Sequence, residues 1–236
     1  MAWLSSHLQA RLIHISAEAL TEALPLLVNR GKVKKGYVHV DYVSMGEVKT
    51  GTKSVLYRKI DCTFSSDAQS LRAIRDYFQP LIAETLGAQD QCVVDSAFLK
   101  SPHYAPQLCH YDMGIGDRDR LRNKIFLGFS PLTDSGCYLQ VWLPRENETS
   151  APQRGRVLFI PKGCILLLPG DTLHGGGFLS DYKTLDLRLH FYIYIHGATP
   201  LVMNNNVYQL PDIYPMQESL MPKQSVHNLF TSNLTP

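Results

Sequence analysis

Apolar and polar positions follow helical spacing in one N-terminal stretch and a period of two through most of the C-terminal half. Leu71, Ile74, Phe78, Leu81 and Ile82 form one apolar stripe. They predict a helix that starts at a Ser65 or Ser66 cap and runs to about Leu86, before Gly87. A second helix is expected from a cap at Ser16 to about Asn29, with Glu18 in its first turn, a kink at Pro25 and Gly31 past its end. Short strands are expected at 12–15, 37–43 and 54–60. From Cys92 the pattern becomes a series of strands at 93–100, 107–112, 124–130, 138–143, 156–160, 164–168 and 185–195. Turn residues separate them, at Gly114 to Asp117, Asp134 to Gly136, Pro161 to Gly163 and Gly175 to Gly177. Many short strands with such punctuation predict a β-sandwich or barrel. The whole chain, 1–236, reads as one domain: a helix and strand buttress over 1–92, a β core at about 93–196, and a tail over 197–236 that wraps the body or is partly disordered.

Three segments carry candidate chemistry. In Gln107 to Asp112, His110 and Asp112 lie two apart on a strand, so their side chains point to one side, as two metal ligands must. Taken alone, such a pair is more often a buried hydrogen bond. The second segment, Leu168 to Gly177, is an apolar strand, a Pro-Gly turn and His174 followed by three glycines, which leave space beside the imidazole. The third, Asp186 to Ile195, alternates clearly. Arg188, His190, Tyr192 and Tyr194 share one face; Leu187, Leu189, Phe191, Ile193 and Ile195 share the other. An apolar outer face with an arginine opposite suggests a lined cavity, and a guanidinium is suited to fork a carboxylate.

Together these segments are far more specific than any one of them. Two histidines and a carboxylate with open positions are the ligand set of non-haem iron(II) oxygenases. The order HxD, distal His, Arg resembles the iron(II)/2-oxoglutarate dioxygenase superfamily, within it the phytanoyl-CoA-hydroxylase-like and prolyl-hydroxylase-like groups. The resemblance covers roughly Val93 to His196. Gly136 to Pro144 looks like the family's glycine-led strand, and Arg156 to Gly163 like the strand and turn before the distal histidine. It implies a double-stranded β-helix, with His110, Asp112 and His174 holding Fe(II). It further implies that 2-oxoglutarate and O2 are consumed, with release of succinate and CO2 and hydroxylation of a C–H bond. Arg188 would bind the far carboxylate of 2-oxoglutarate. Many members carry a hydroxyl residue two positions after that arginine; here the position is His190, which either takes that role or signals a different seat for the cosubstrate.

Other histidines compete weakly. His39 and Asp41 form a second HxD without a glycine-flanked His after it, and His103 and His196 read as loop and strand-end residues. Lys124 reads as solvated, although some relatives bind the cosubstrate through a lysine. Cupins with the same barrel show an HxH pair followed by Glu, which is missing here; a non-catalytic metal-binding β-helix protein is the alternative reading.

Composition narrows the partners only slightly. A formal net charge of +2 gives no electrostatic case for nucleic acid, though it does not exclude it. The expected substrate is a small molecule or a protein side chain. No stretch approaches the roughly 20 apolar residues of a membrane span, so no membrane partner is expected. Five scattered cysteines without a CxxC read as reduced thiols of a cytoplasmic or nuclear protein.

Overall fold

The computed structural model describes residues 9–15, 38–39, 45–50, 53–58, 62–64, 68–89, 91–101, 107, 109–142, 155–177, 188–195, 197–198, 203–209 and 223–226. In chain order the elements are β1 (Arg11–His14), β2 (Val38–His39), β3 (Met45–Thr50), β4 (Lys53–Arg58), β5 (Cys62–Phe64), α1 (Ala68–Leu86), β6 (Cys92–Ser101), β7 (His110–Met113), α2 (Ile115–Arg120), β8 (Ile125–Pro131), β9 (Cys137–Trp142), β10 (Gly155–Ile160), β11 (Cys164–Pro169), β12 (His174–Gly176), β13 (Arg188–Ile195), β14 (Met203–Gln209) and β15 (Lys223–Ser225). The larger sheet has the order β1-β11-β8-β13-β6-β5-β2, the smaller β14-β7-β12-β9-β10-β15, and β3 pairs with β4 in a separate hairpin. From β7 to β13 the chain passes between the two sheets again and again, winding them into a double-stranded β-helix.

The apolar pattern explains the layers. β11 is buried along its whole length because it is covered on both faces. Leu166 and Leu168 meet Leu139, Val141, Leu158 and Ile160 of the smaller sheet, making the core between the sheets. Ile165 and Leu167 face the other way, into a second core under α1. A strand buried on two faces needs an unbroken apolar run rather than alternation. β13 does alternate. Leu189, Phe191, Ile193 and Ile195 enter the core beneath α1. Phe78 and Ile82 of α1 complete it, and the Phe78 ring meets Phe191 edge-on at 5.8 Å. α1 ends where the sequence places the stop. Gly87 takes φ +65°, its N–H donates to the Glu84 carbonyl, and the Ala88 N–H donates to the Ala83 carbonyl. This is a Schellman cap, which needs a residue tolerant of the left-handed region.

Most of the expected strands hold within one to three residues; β3 and β5 were not expected, and four further features differ. Gly175 and Gly176 do not form a turn but belong to strand β12. The HxD strand begins at His110 and reaches Met113, while Gln107 makes only an isolated bridge. Residues 115–120 form the short helix α2, closed by Arg120 on Asp117 at 2.6 Å, where a turn was expected. The C-terminal segment supplies both edges of the smaller sheet, β14 against β7 and β15 parallel to β10. The helix expected at 16–29, the Ser65 and Ser66 caps, residues 185–187 and most of 37–43 lie outside the described residues. Among the described residues, no helix is long and apolar enough to cross a membrane.

Phe191 is fully buried. Phe191→Ala should therefore lower unfolding free energy by roughly 3–5 kcal/mol in a urea titration. A change near zero would mean that β13 presents its faces the other way round.

Candidate metal centre

The site is built by one cross-strand pair. β12 runs antiparallel to β7 with His174 directly opposite His110. Opposed residues in such a pair bring their Cβ atoms to about 4.5–5.5 Å, and the two imidazoles stand 4.6 Å apart between centroids. Asp112 follows two residues on and returns to the same face. Its Oδ1 is 3.3 Å from His110 Nε2 and its Oδ2 is 3.8 Å from His174 Nε2. One donor atom from each of the three residues lies within 4.8 Å of the others, and all three side chains are buried.

Neighbouring groups orient the donors. His174 Nδ1 is 2.9 Å from the Thr172 carbonyl oxygen. A carbonyl only accepts, so Nδ1 carries the proton and donates, leaving the Nε2 lone pair directed at the cluster. The turn before it is held by the Thr172 N–H on the Pro169 carbonyl and by Arg122 on Asp171 at 3.2 Å. β12 is only three residues long, and side chains reinforce it. Buried Gln140 donates from Nε2 to the carbonyls of Gln107 and Gly176, at 3.1 and 2.9 Å. Gln107 Oε1 accepts from the Gly176 N–H at 2.9 Å. Gly177 closes the segment against β9: a Cβ there would fall 2.6 Å from the Tyr138 carbonyl, so no larger residue fits that approach.

The larger sheet supplies the opposite wall. Tyr192 donates its hydroxyl to Asp112 Oδ2 at 3.2 Å. Burial alone would raise the Asp112 carboxyl, but the imidazoles of His174, His110 and His190 outweigh it and hold it well below the usual carboxylate range. Burial, with Asp112 beside it, pushes the Tyr192 phenol well above its ordinary value, so it is a neutral donor. His190 Nε2 lies 3.5 Å from the same Oδ2. The structure thus sets His190 against the carboxylate of Asp112. Arg188 is 2% exposed, on the inner face of β13 as the alternation predicts.

Phe129 of β8 ties these groups together, and nothing in its strand distinguished it from packing. Its register partner on β13 is His190. Its ring meets His190 at 4.7 Å and His174 at 5.7 Å, and the Arg188 guanidinium carbon lies 6.0 Å from its centroid. Gln107 and Gln140 were likewise not singled out, since a buried amide on a strand has no sequence signature. Lys124 is exposed in the turn before β8. His39 sits on β2 at the far edge of the larger sheet, and Asp41, His103 and His196 lie outside the described residues.

The donor set tests well against a metal. Two neutral imidazoles and a carboxylate bind a first-row ion at about 2.0–2.2 Å each, and donors this close suit a single ion. With further positions open, the set has the composition of the two-histidine, one-carboxylate triad that non-haem iron(II) sites use. The fold is the double-stranded β-helix of the iron(II)/2-oxoglutarate oxygenases, with the HxD and distal His triad in place. No family model matches the chain, and no curated protein matches it. The likenesses are to solved structures. The non-heme alpha-ketoglutarate-dependent carbocyclase SnoK from nogalamycin biosynthesis is 13% identical with TM-score 0.52, over 90% of this chain and 89% of that one. AviO1 from Streptomyces viridochromogenes Tue57 is 17% identical with TM-score 0.49, over 81% and 91%. A prolyl-4-hydroxylase from Pseudomonas putida is 16% identical with TM-score 0.43, over 82% and 96%. At such identities the likeness is one of fold, and SnoK carries it.

Gln140→Ala would remove one donor from each of two buried carbonyls, of which that of Gly176 keeps the Gln107 N–H. Unfolding free energy should fall by about 1–3 kcal/mol, and hydrogen exchange at Gly176 should accelerate. Unchanged exchange there would mean that backbone pairing alone holds β12.

Proposed function

We propose that this protein is an iron(II)- and 2-oxoglutarate-dependent dioxygenase that hydroxylates a C–H bond of a small molecule or a protein side chain, in the cytoplasm or nucleus. One observation carries the reading: in this fold a buried His110, Asp112 and His174 cluster and a buried Arg188 lie beside the same Phe129 ring. His110, Asp112 and His174 would hold Fe(II). The iron, when bound, would supply the site at which O2 oxidises 2-oxoglutarate to succinate and CO2 and delivers an oxygen atom to the substrate. The balance is substrate C–H, 2-oxoglutarate and O2 giving substrate C–OH, succinate and CO2.

The chain's own part is binding, orientation and exclusion of water. His110 and His174 offer Nε2 lone pairs, the latter fixed by Thr172. Asp112, which accepts the Tyr192 hydroxyl, would offset part of the ion's charge. Arg188 would clamp the far carboxylate of 2-oxoglutarate, since a planar fork in a dry site is suited to a carboxylate. Phe129 would seat the cosubstrate between Arg188 and the histidines, its ring being close to both. The apolar floor of the inter-sheet core excludes water from behind.

His110→Ala, Asp112→Ala and His174→Ala should each lose most bound iron and all turnover, read by metal analysis and succinate formation. Full iron uptake by His174→Ala would refute the ligand assignment. Arg188 is tested apart from the metal. In oxygen-free, iron-loaded protein, 2-oxoglutarate should produce a weak visible charge-transfer band. Arg188→Ala should shift that titration to about ten- to a hundred-fold higher cosubstrate, the loss expected for hydrogen bonds to a charged group. Arg188→Lys should recover part of it, and iron content should stay unchanged in both. A wild type that takes iron but gives no band would instead be a metal-binding protein without this cosubstrate.

A further inference from the structure

One aromatic ring borders both ends of the site. Phe129 lies 5.7 Å from the His174 imidazole and 6.0 Å from the Arg188 guanidinium carbon. The ring has nowhere to retreat. It is 1% exposed and belongs to the core between the sheets, with Leu127, Leu139, Val141 and Leu166. Its strand is central in the larger sheet: Leu166 of β11 stands opposite Phe129 on one side and His190 of β13 on the other. The His190 ring meets it at 4.7 Å and 62°, and His190 Nε2 is in turn 3.5 Å from Asp112 Oδ2. Close packing of this kind leaves few voids larger than a water molecule, so a side chain held by it keeps one rotamer.

These contacts constrain any ligand that must reach both ends. A 2-oxo diacid would be held at one end beside His110, Asp112 and His174 and at the other by Arg188. Both ends are carried by central strands, β12 between β7 and β9, and β13 between β8 and β6. Neither can shift without breaking a ladder, so the span between them is fixed. A diacid with one carbon too many must bow sideways. On the side of Phe129 the bow meets a ring with close-packed core behind it, and overfilling such a core is unfavourable.

We propose that Phe129 sets the chain length of the cosubstrate, admitting the five-carbon 2-oxo diacid and rejecting the six-carbon one. The inference rests on the cosubstrate reading above and adds a selectivity to it. Arg188 requires that a far carboxylate be there; Phe129 fixes how far along the chain it lies. The ring carries no polar group, so it acts on shape and leaves charge recognition to the arginine.

The test is calorimetric, on protein loaded with Mn(II) so that no turnover intervenes. 2-Oxoglutarate and 2-oxoadipate are titrated into wild type, Phe129→Leu, Phe129→Ala and Phe126→Leu. Phe126 lies on the same strand but in the core under α1, and serves as the packing control. Wild type should bind the five-carbon acid roughly 10–200-fold more tightly than the six-carbon one, the range by which a pocket resolves a single methylene. Phe129→Leu should narrow that ratio by about tenfold, mainly through tighter binding of 2-oxoadipate, and Phe129→Ala should narrow it further. Phe126→Leu should keep the wild-type ratio, and Mn(II) content should be equal in all four proteins. The wild-type measurement needs no variant to fold: equal affinity for the two acids overturns the proposal at once. A folded Phe129→Leu that keeps the full wild-type ratio also overturns it. If wild type binds neither acid, the cosubstrate reading has failed and this inference falls with it. If wild type binds 2-oxoglutarate and Arg188→Ala weakens it, yet Phe129→Leu leaves the ratio alone, the inference fails by itself.

Discussion

Everything chemical in this fold depends on the register of a three-residue strand. β12 meets β7 at one pair, His174 opposite His110. A slip of one residue would carry the imidazole to the outer face of the smaller sheet, because side chains alternate along a strand. So short a ladder has little register preference of its own. Its alignment comes from β9 on its other side, where Val141, Gln140 and Leu139 oppose His174, Gly175 and Gly176. The Trp142 N–H on the Leu173 carbonyl and the glutamine amides fix it further. The ligand geometry is thus set by groups that touch no ligand atom.

β13 divides stabilising surface from costly surface. Its outer side chains enter the apolar layer under α1. Its inner ones bring an arginine, a histidine and a tyrosine into the sandwich, where Asp112 and two more histidines already sit. Burying such groups is unfavourable unless each meets a complementary neighbour. Here Asp112 is the common neighbour of the three histidines and the tyrosine. The stability of the outer layer allows a crowded polar interior to persist at one end of an otherwise apolar core.

Local signals made much of this visible in the sequence. The period-two alternation of β13 assigned both its faces, since a strand between a cavity and an apolar layer must alternate. The HxD spacing identified one strand's contribution, and the stripe Phe78 and Ile82 identified the buried side of α1. What escaped were features set by long-range pairing. His174 to Gly176 looked like a glycine-rich turn because a strand of three residues has no period to detect. Phe129 was one apolar residue among several in its strand, and only its register against His190 brings it to the site. His190 was expected near the cosubstrate from its spacing to Arg188; that Asp112 reaches to within 3.5 Å of it across the sandwich left no mark in the sequence. Neither β14 nor β15 announces itself in a segment rich in asparagine and proline.

That last segment bears on the order of biosynthesis. A chain emerges from the ribosome N-terminus first, at about 5–20 residues per second. The strand holding His110 and Asp112 therefore leaves the tunnel well before β14, which pairs with it through Gln209 opposite His110 and Tyr208 opposite Tyr111. Until then one side of β7 is an open row of backbone donors and acceptors, the kind of edge that recruits foreign strands. The nascent protein is accordingly most exposed to mispairing at its candidate metal site, and a translational pause between the HxD segment and β14 would lengthen that interval.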